Sequence, residues 1–391
     1  MKNESAELIK STKIAQITAY RISYGSLLQA FATQIAFKTY GMTLELFCFE
    51  PSGRDNFYRR LMKGIRYPNV IVEKTKEYWS NLIHTEYLNS KKKRDKEFLD
   101  FMYRNMVCTE VMKTIEQRDK KIKDYEVVLS GSDQTWNPVN FGEKYFTCEF
   151  VPDEIKLVSY ASSFGREKIP NGQVRGTRWY LGRFSKISLR ETSGREIVKK
   201  LTGKMQPVVL DPTLLLKADE WYKYVANNKQ IDKNYIFTYF LSAKKEFRKK
   251  VLNLKQETGF QVITVPHVAQ YVQADIDYSD VLVNGCAPDE WLALIKDAEC
   301  ICTDSYHGMI FSIIFKKQFI VMKRFRDRSN VSANTRIYEV LDKLGLENRL
   351  WNGGNLYFQM RQKIDYDLVE EKLMKYRQWS YHYIQNILNE D

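Results

Sequence analysis

Long apolar runs and patterned cysteines are both missing from this sequence. No apolar run approaches the ~20 residues that a membrane-spanning helix needs, and residues 1–13 are polar and charged, unlike a signal peptide. We therefore expect a cytoplasmic protein that can touch the inner face of the membrane peripherally. The six cysteines lack the paired spacing of a zinc site, which predicts reduced and mostly buried thiols.

Motifs for common cofactors are also missing. The chain has no Gly-x-Gly-x-x-Gly and no Walker pattern, so dinucleotide and P-loop nucleotide binding lose support. Three of the four histidines, His84, His267 and His382, have no supporting cluster, and we interpret them as ordinary surface or partly buried residues. No set of side chains forms a convincing metal site, so we expect neither a metal nor a cofactor.

The composition instead describes a large folded protein with a positive charge. Its 391 residues, 44% of them hydrophobic, are enough for two domains. Lysine and arginine number 61 against 48 acidic residues, and the net charge of +13 implies an anionic partner, such as a phosphorylated substrate or a membrane surface. Nucleic acid is not expected, because the basic residues are not regularly interleaved with stacking aromatics.

Alternating strand and helix patterns predict an α/β fold. Residues 13–18 form a strand candidate, apolar positions at helical spacing follow over 27–37, and 44–49 form another strand, which makes a βαβ unit. A second set of alternations begins at residue 235. Several strands end in polar stretches, at 130–138, 159–165, 188–191 and 211–213. Such ends are typical of a parallel sheet whose edge lines a cleft, which predicts two Rossmann-like domains facing across one.

Domain boundaries follow from shifts in composition. We place a first domain at 1–220, with a basic and mostly helical insertion at 51–123, and a second domain at 221–361. The amphipathic segment at 362–391 is predicted to form a helix that packs back on the first domain. Four consecutive cations at 91–94 favour a solvated helix face, with contact to anionic lipid headgroups or an acidic glycan carrier as the alternative.

Residues 300–315 are predicted to form a strand, a polar loop and a buried helix. Asp304 and Ser305 are good helix N-caps. A helix that begins directly after a strand points free N–H groups and the positive end of its dipole past the sheet edge, which suits an anion. His307 would lie in the first turn, where an imidazole can give or take a proton. A capped helix with a hydrogen-bonded histidine is the alternative.

Two residues near the other strand ends are candidates for ligand contact. Arg190 can hold a carboxylate or a phosphate with two hydrogen bonds, and the alternative is a salt bridge to Glu191 or another carboxylate. Gly25, in the first βα turn, could let the backbone approach a ligand, and an ordinary turn glycine is the alternative.

Together these stretches resemble the polysaccharide pyruvyl transferase family over roughly residues 13–350. The resemblance is carried by YGSLLQA at 24–30, SGSDQTWNP at 130–138, SYASSFG at 159–165, SLRE at 188–191, DSYHG at 304–308 and NTRI at 334–337. The family's histidine motif commonly has an arginine two residues before the histidine, where this chain has Ser305. Phosphate contacts are therefore expected from Lys323, Arg324 or Arg336.

The resemblance implies a fold like that of the two-domain GT-B glycosyltransferases. It also implies transfer of pyruvate from phosphoenolpyruvate, as a ketal, to hydroxyls of a lipid-linked or polymeric sugar in exopolysaccharide or capsule synthesis. His307 is then the expected proton-transfer residue, and Asp133 the base for the acceptor hydroxyl, with loop-stabilising hydrogen bonds as the alternative for Asp133. The expected substrate-binding residues are Ser132, Arg190, Ser305, Tyr306, Gly308, Lys323 and Arg336.

Two other functions stay open on the sequence alone. A GT-B glycosyltransferase would place the diphosphate of a nucleotide sugar on the same helix N-terminus. A non-catalytic module associated with glycans or membranes would keep the fold and lose the chemistry. Binding of phosphoenolpyruvate rather than a nucleotide sugar separates the first two functions, and a His307→Ala variant with unchanged activity would favour the third.

Overall fold

A computed structural model describes residues 12–21, 23–52, 83–227, 234–325 and 334–389. Part of the insertion predicted at 51–123, and the cations that follow residue 325, lie outside these ranges. Within them the chain forms two five-stranded parallel sheets with helices around them. The α/β fold with two Rossmann-like sheets is therefore confirmed.

The first sheet has the strand order β2-β1-β3-β4-β5, with parallel neighbours throughout. Its strands are β1 (Ile14–Ile17), β2 (Leu44–Leu46), β3 (Val127–Ser130), β4 (Lys156–Ser159) and β5 (Phe184–Lys186). Strands β1 and β3 are buried along their whole length, as expected where helices cover both faces. The strand predicted to end at the polar stretch 188–191 ends earlier, as β5, and Leu189 makes only single bridges to Ser162 and Val208.

The second sheet has the order β10-β9-β6-β7-β8 and is also parallel. Its strands are β6 (Tyr235–Tyr239), β7 (Gln261–Thr264), β8 (Val281–Leu282), β9 (Cys300–Thr303) and β10 (Gln318–Val321). A short helix, Gln273–Tyr278, lies just before β8 in the chain. Asp275 in that helix is buried and accepts a hydrogen bond from Arg248 Nε at 2.8 Å.

Helices pack on both sheets. In the described residues they are α1 (Tyr24–Lys38), α2 (Thr85–Asn105), α3 (Ile115–Lys121), α4 (Val174–Gly182), α5 (Thr192–Thr202), α6 (Ala218–Tyr222), α7 (Lys245–Thr258), α8 (Gln273–Tyr278), α9 (Pro288–Asp297), α10 (Tyr306–Ile314), α11 (Thr335–Leu344), α12 (Leu356–Met360) and α13 (Tyr366–Gln385). None of these helices is long and apolar enough to cross a membrane. All six cysteines are unpaired, and five are buried.

Helix α1 begins earlier than the predicted 27–37. Ser26 N donates to Ser23 Oγ at 3.3 Å, and Ser23 N donates to Ser26 Oγ at 2.8 Å, which is a reciprocal capping box. The helix therefore starts at Tyr24 and places Gly25 in its first turn.

Helix α2, from the predicted insertion, packs against loops of the second sheet. Tyr87 Oη donates to the carbonyl of His267 at 3.1 Å, and Arg94 Nη1 donates to the carbonyl of Val268 at 2.9 Å. The Arg94 side chain is only 13% exposed. The expectation of a solvated helix face at 91–94 is therefore wrong for Arg94, because its guanidinium is used in a tertiary contact.

Helix α13 runs over the first sheet. Tyr383 Oη donates to the carbonyl of Ser159, the last residue of β4, at 3.0 Å. Leu373 of α13 belongs to a hydrophobic cluster that also contains Phe31 of α1 and Phe311 of α10. We call the parts of the chain built on the first and second sheets the two halves of the molecule. This hydrophobic cluster contains residues of both halves and fixes how the sheets face each other.

Candidate functional site

The polar loops after β3 and β4 meet at the carboxyl edge of the first sheet. Ser162 Oγ donates to the carbonyl of Gly131 at 3.1 Å and lies 3.3 Å from Ser130 Oγ. Ser163 Oγ donates to Glu191 Oε1 at 2.7 Å. Since buried polar groups need partners, these serines join the loops to one another and hold them in place.

Asp211 is a buried carboxylate that residues of these loops contact. It is 1% exposed, and its Oδ1 accepts a hydrogen bond from Thr213 Oγ1 at 2.7 Å. Its Oδ2 accepts from Arg190 Nη1 at 3.0 Å and from Ser132 Oγ at 3.5 Å. A buried carboxylate with this many donors is held in one orientation.

His307 approaches Asp211 from the second sheet. Helix α10 begins at Tyr306, and its N-cap Ser305 accepts a hydrogen bond from Gly308 N through Oγ at 3.2 Å. The cap places His307 in the first helical turn, where its Nε2 lies 3.4 Å from Asp211 Oδ2. Each half of the molecule therefore contributes one member of this acid–base pair.

Gly25 lies on another side of the imidazole ring. A β-carbon at this position would lie 2.0 Å from His307 Nδ1 and 2.2 Å from its Cγ. No side chain fits there, so the first turn of α1 packs its bare backbone against the ring. Close approach to His307, rather than an ordinary turn, is why this position needs glycine.

Charges around the pair keep Asp211 ionised. Burial by itself would raise the pKa of this carboxyl, but His307 and Arg190 together lower the pKa of Asp211 well below its ordinary value. The carboxylate can therefore orient the imidazole.

Arg190 is buried among acidic groups. Besides its bond to Asp211, its Nε lies 3.6 Å from Glu191 Oε2 and its Nη2 lies 3.7 Å from Asp133 Oδ1. Burial lowers the pKa of Arg190, but Tyr306 and the three carboxylates outweigh burial and raise it. The charge of Arg190 is therefore compensated by carboxylates of the protein itself. This matches the alternative given for Arg190, a salt bridge to a carboxylate.

Tyr306 lies between two guanidinium groups. Its ring centroid is 4.9 Å from Cζ of Arg190 and 5.1 Å from Cζ of Arg336, which comes from the start of α11. Burial and the charge of Arg190 lower the pKa of Arg336 to about 10. An anion beside Arg336 would relieve this repulsion, so this edge of the site favours a negative ligand.

The structure brings most of the predicted site residues to the facing edges of the two sheets. They are Ser132, Asp133, Arg190, Ser305, Tyr306, His307, Gly308 and Arg336. Lys323 is positioned by a different contact, with its Nζ 5.4 Å from the ring centroid of Tyr338. Asp304, expected as an alternative N-cap, instead accepts a hydrogen bond from Leu241 N through Oδ1.

Sequence reasoning missed the roles of Asp211 and Glu339. Asp211 lies in the polar stretch 211–213 that was predicted at a strand end, but it was not among the predicted site residues. Glu339 of α11 accepts hydrogen bonds from Thr192 N at 2.7 Å and from Thr192 Oγ1 at 2.8 Å. A carboxylate from one half of the molecule thus caps helix α5 in the other half, which no local pattern signals.

The arrangement can hold an anion and move a proton beside it. The N-terminus of α10 and Arg336 supply positive charge, and His307 can supply a proton while Asp211 keeps the ring oriented. Within the described part of the chain, no three His, Cys, Asp or Glu side chains are grouped as metal ligands would be.

The fold and its facing sheet edges define a two-domain α/β protein of the GT-B class. The chain is similar to the solved structure of a putative UDP-N-acetylglucosamine 2-epimerase from Listeria monocytogenes, with 10% identity over 97% of this chain and 92% of that chain, at a TM-score of 0.51. It is also similar to the S. aureus MnaA–UDP co-structure, with 12% identity over 97% and 92% of the two chains, at a TM-score of 0.50. At these identities the similarity describes the fold alone.

A family model narrows the class. The model of the polysaccharide pyruvyl transferase family matches residues 24–324, a range that includes Gly25, Arg190, Asp211 and His307. The chain therefore belongs to the polysaccharide pyruvyl transferase family. No curated protein matches it significantly.

Proposed function

We propose that the protein transfers pyruvate from phosphoenolpyruvate, as a ketal, to two hydroxyls of a sugar in a surface-glycan precursor. The observation that carries the proposal is the pairing of His307 with Asp211 beside an anion-favouring helix N-terminus. The reaction needs a proton donor next to a site for phosphate and carboxylate, and this pair fits that need. Membership of the family supports transferase chemistry.

The proposed reaction begins at the methylene carbon of phosphoenolpyruvate. Protonated His307 gives its proton to C3, which leaves C2 as an oxocarbenium-like electrophile. One acceptor hydroxyl adds to C2, and a second hydroxyl displaces phosphate and closes the ketal ring. The two hydroxyls release two protons, of which one restores His307 and the other leaves with phosphate.

Arg336 and the N-terminus of α10 are the proposed contacts for the phosphate and carboxylate groups. Ser305, Tyr306 and Gly308 of the α10 terminus stay predicted contributors, as do Ser132 and Lys323, although the Ser305 hydroxyl and the Gly308 N–H are already bonded to each other in the cap. Arg190 is better described as a positioning residue, because its guanidinium is held by Asp211 at 3.0 Å and lies near two more carboxylates.

Asp133 is the proposed base for the acceptor hydroxyl. Its carboxylate is 18% exposed, unlike the buried Asp211, and its backbone has a φ of 69°. A residue other than glycine in the left-handed region is strained, and such strain concentrates at functional sites. Both features support a role for Asp133 in direct contact with the acceptor.

The proposed acceptor is a lipid-linked or polymeric sugar, and the proposed place of reaction is the cytoplasmic face of the membrane. The formal net charge of +13 supports peripheral contact with anionic headgroups.

A thermal-shift titration with phosphoenolpyruvate tests the donor. A ligand that binds only the folded protein raises the unfolding midpoint in proportion to the logarithm of its concentration over Kd. We expect phosphoenolpyruvate to raise the midpoint of the wild type and to have little effect on Arg336→Gln. The matched control is Arg175→Gln, which removes an exposed arginine from α4 and should respond like the wild type.

A panel of nucleotide sugars run beside phosphoenolpyruvate tests the alternative, a GT-B glycosyltransferase. UDP-sugars belong in the panel because the similar S. aureus structure holds UDP. Stabilisation by a nucleotide sugar and not by phosphoenolpyruvate would overturn the pyruvyl donor and favour glycosyl transfer.

A further inference from the structure

A groove of about 850 Å³ runs between helices α5 and α13. It is lined at the start of α5 by Thr192, which follows Arg190 and Glu191 in the chain, and along α13 from Lys375 to Asn386. The lining segment of α13 makes the groove about 16 Å long, at ~1.5 Å per residue. A groove of this length can accept several sugar rings in a row, beginning beside the candidate site.

Aromatic side chains of α13 form one wall of the groove. Trp379 is 52% exposed, and its Nε1 donates to the carbonyl of Val208 at 3.1 Å. That bond fixes the plane of the indole and leaves much of its surface open. Tyr376 lies nearby, with Lys343 Nζ 5.6 Å from its ring centroid. The negative face of an aromatic ring attracts the C–H groups of a sugar ring, so this wall suits a saccharide.

The charged residues that line the groove are all basic. Arg195, Lys343 and Lys375 line it, together with His382, and no acidic residue is among its lining residues. Each of the three cations has a carboxylate neighbour outside the lining, at 3.5 Å for Arg195, 2.7 Å for Lys343 and 2.9 Å for Lys375. Partly exposed pairs of this kind are weak, so these cations can exchange partners with a ligand anion.

We propose that the groove binds an anionic oligosaccharide, with a sugar ring on Trp379 and carboxylate or phosphate groups on the three cations. The inference rests on the proposed function in one respect, because it identifies this ligand as the acceptor. The groove includes Thr192, two residues after Arg190, so the reactive end of a bound acceptor is proposed to lie toward the Arg190–Asp211–His307 cluster. The groove then selects the acceptor by its chain length and its charge.

An array of immobilised oligosaccharides tests the groove directly. The array carries uronate-bearing, phosphate-bearing and neutral oligosaccharides, so the two sources of negative charge are separated. We expect the wild type to bind anionic spots and not neutral ones. Trp379→Ala and Lys375→Glu should each weaken that binding at least tenfold. Trp179→Ala is the matched control, because Trp179 is 56% exposed on α4 outside the groove, and it should bind like the wild type.

Several outcomes would overturn the inference. They are failure of the wild type to bind any anionic oligosaccharide, equal binding by wild type and Lys375→Glu, and equal loss in the Trp179→Ala control. Lys375 is 72% exposed, so its variant keeps the test valid even if Trp379→Ala folds poorly. The wild type can also be tested with vesicles of phosphatidylglycerol and phosphatidylcholine. If it binds these vesicles through the groove and binds no oligosaccharide, the ligand of the groove is a membrane surface and not a glycan.

The donor titration on the same variants separates this inference from the proposed function. Trp379→Ala should keep the stabilisation by phosphoenolpyruvate that the wild type shows. If phosphoenolpyruvate stabilises the protein and no glycan binds, the groove inference fails alone. If glycans bind through Trp379 and phosphoenolpyruvate has no effect, the donor assignment fails alone.

Discussion

Because Gly25 packs directly against His307, adding one methyl group at Gly25 is a sensitive test of the site. In Gly25→Ala the new β-carbon would lie 2.0 Å from His307 Nδ1, so the ring or the start of α1 must move. Overpacking of this kind costs about 1–3 kcal/mol. We expect a lower midpoint of thermal unfolding and weaker stabilisation by phosphoenolpyruvate.

Gly172→Ala is the control for this substitution. A β-carbon at Gly172 would meet nothing within 4 Å, so the midpoint should change little. Equal midpoints for the Gly25 and Gly172 variants would show that the close approach to His307 is absent.

Asp211→Asn tests the electrostatics of the buried pair. Removing one partner of a buried ion pair costs about 3–5 kcal/mol at neutral pH, because Arg190 loses its nearest carboxylate. The pKa of Asp211 is lowered in the folded protein. Its contribution to stability is therefore present above the ordinary aspartate pKa of about 3.9 and is lost as pH falls through the lower folded-state pKa.

Urea unfolding of wild type and Asp211→Asn from pH 7 downward measures this contribution. The difference in unfolding free energy should be largest at neutral pH and should shrink as pH falls below about 4. Asp153→Asn is the control, because the Asp153 side chain is 94% exposed and its bond to Arg183 should contribute little at any pH. A difference for Asp211→Asn that stays constant with pH would contradict the lowered pKa.

At the residue scale, sequence patterns predicted which side chains lie at the site better than they predicted which side chains contact each other. The cap at Ser305 and the position of His307 depend on neighbours in the chain, so a local pattern could predict them. His307 lies beside Asp211, which comes from a loop in the half of the molecule built on the first sheet. Such a pairing depends on how two sheets pack, and no spacing in the sequence encodes it.

Helix α2 shows the same limit at the scale of elements. Its four consecutive cations have the pattern of a solvated face, yet Arg94 donates to the carbonyl of Val268 in the other half of the molecule. A partly buried hydrogen bond from a charged donor contributes about 1.5–3 kcal/mol. We expect Arg94→Ala to lower the unfolding free energy by this amount and to raise amide exchange in the loop that contains Val268.

Lys92→Ala is the matched control on the same helix, because Lys92 is exposed. Its unfolding free energy and loop exchange should equal those of the wild type. If Arg94→Ala behaves the same way, the contact between α2 and the second sheet contributes nothing to stability.

At the scale of the whole molecule, the two parallel sheets follow from periodicity, because buried strands and amphipathic helices alternate along the chain. Their mutual placement does not follow from periodicity. It depends on α2, on α13 and on a core that contains Phe31 from one half and Phe311 from the other. These contacts join residues far apart in the chain, so they appear only in the folded structure.

The shared core determines the geometry that a ligand meets at the site. His307 and Asp211 belong to different halves, so their 3.4 Å separation is maintained by the docking of the halves rather than by a local turn. The orientational entropy of bringing the proton donor to its carboxylate is thus lost when the halves dock during folding, and the docked halves present an anion with a preorganised acid.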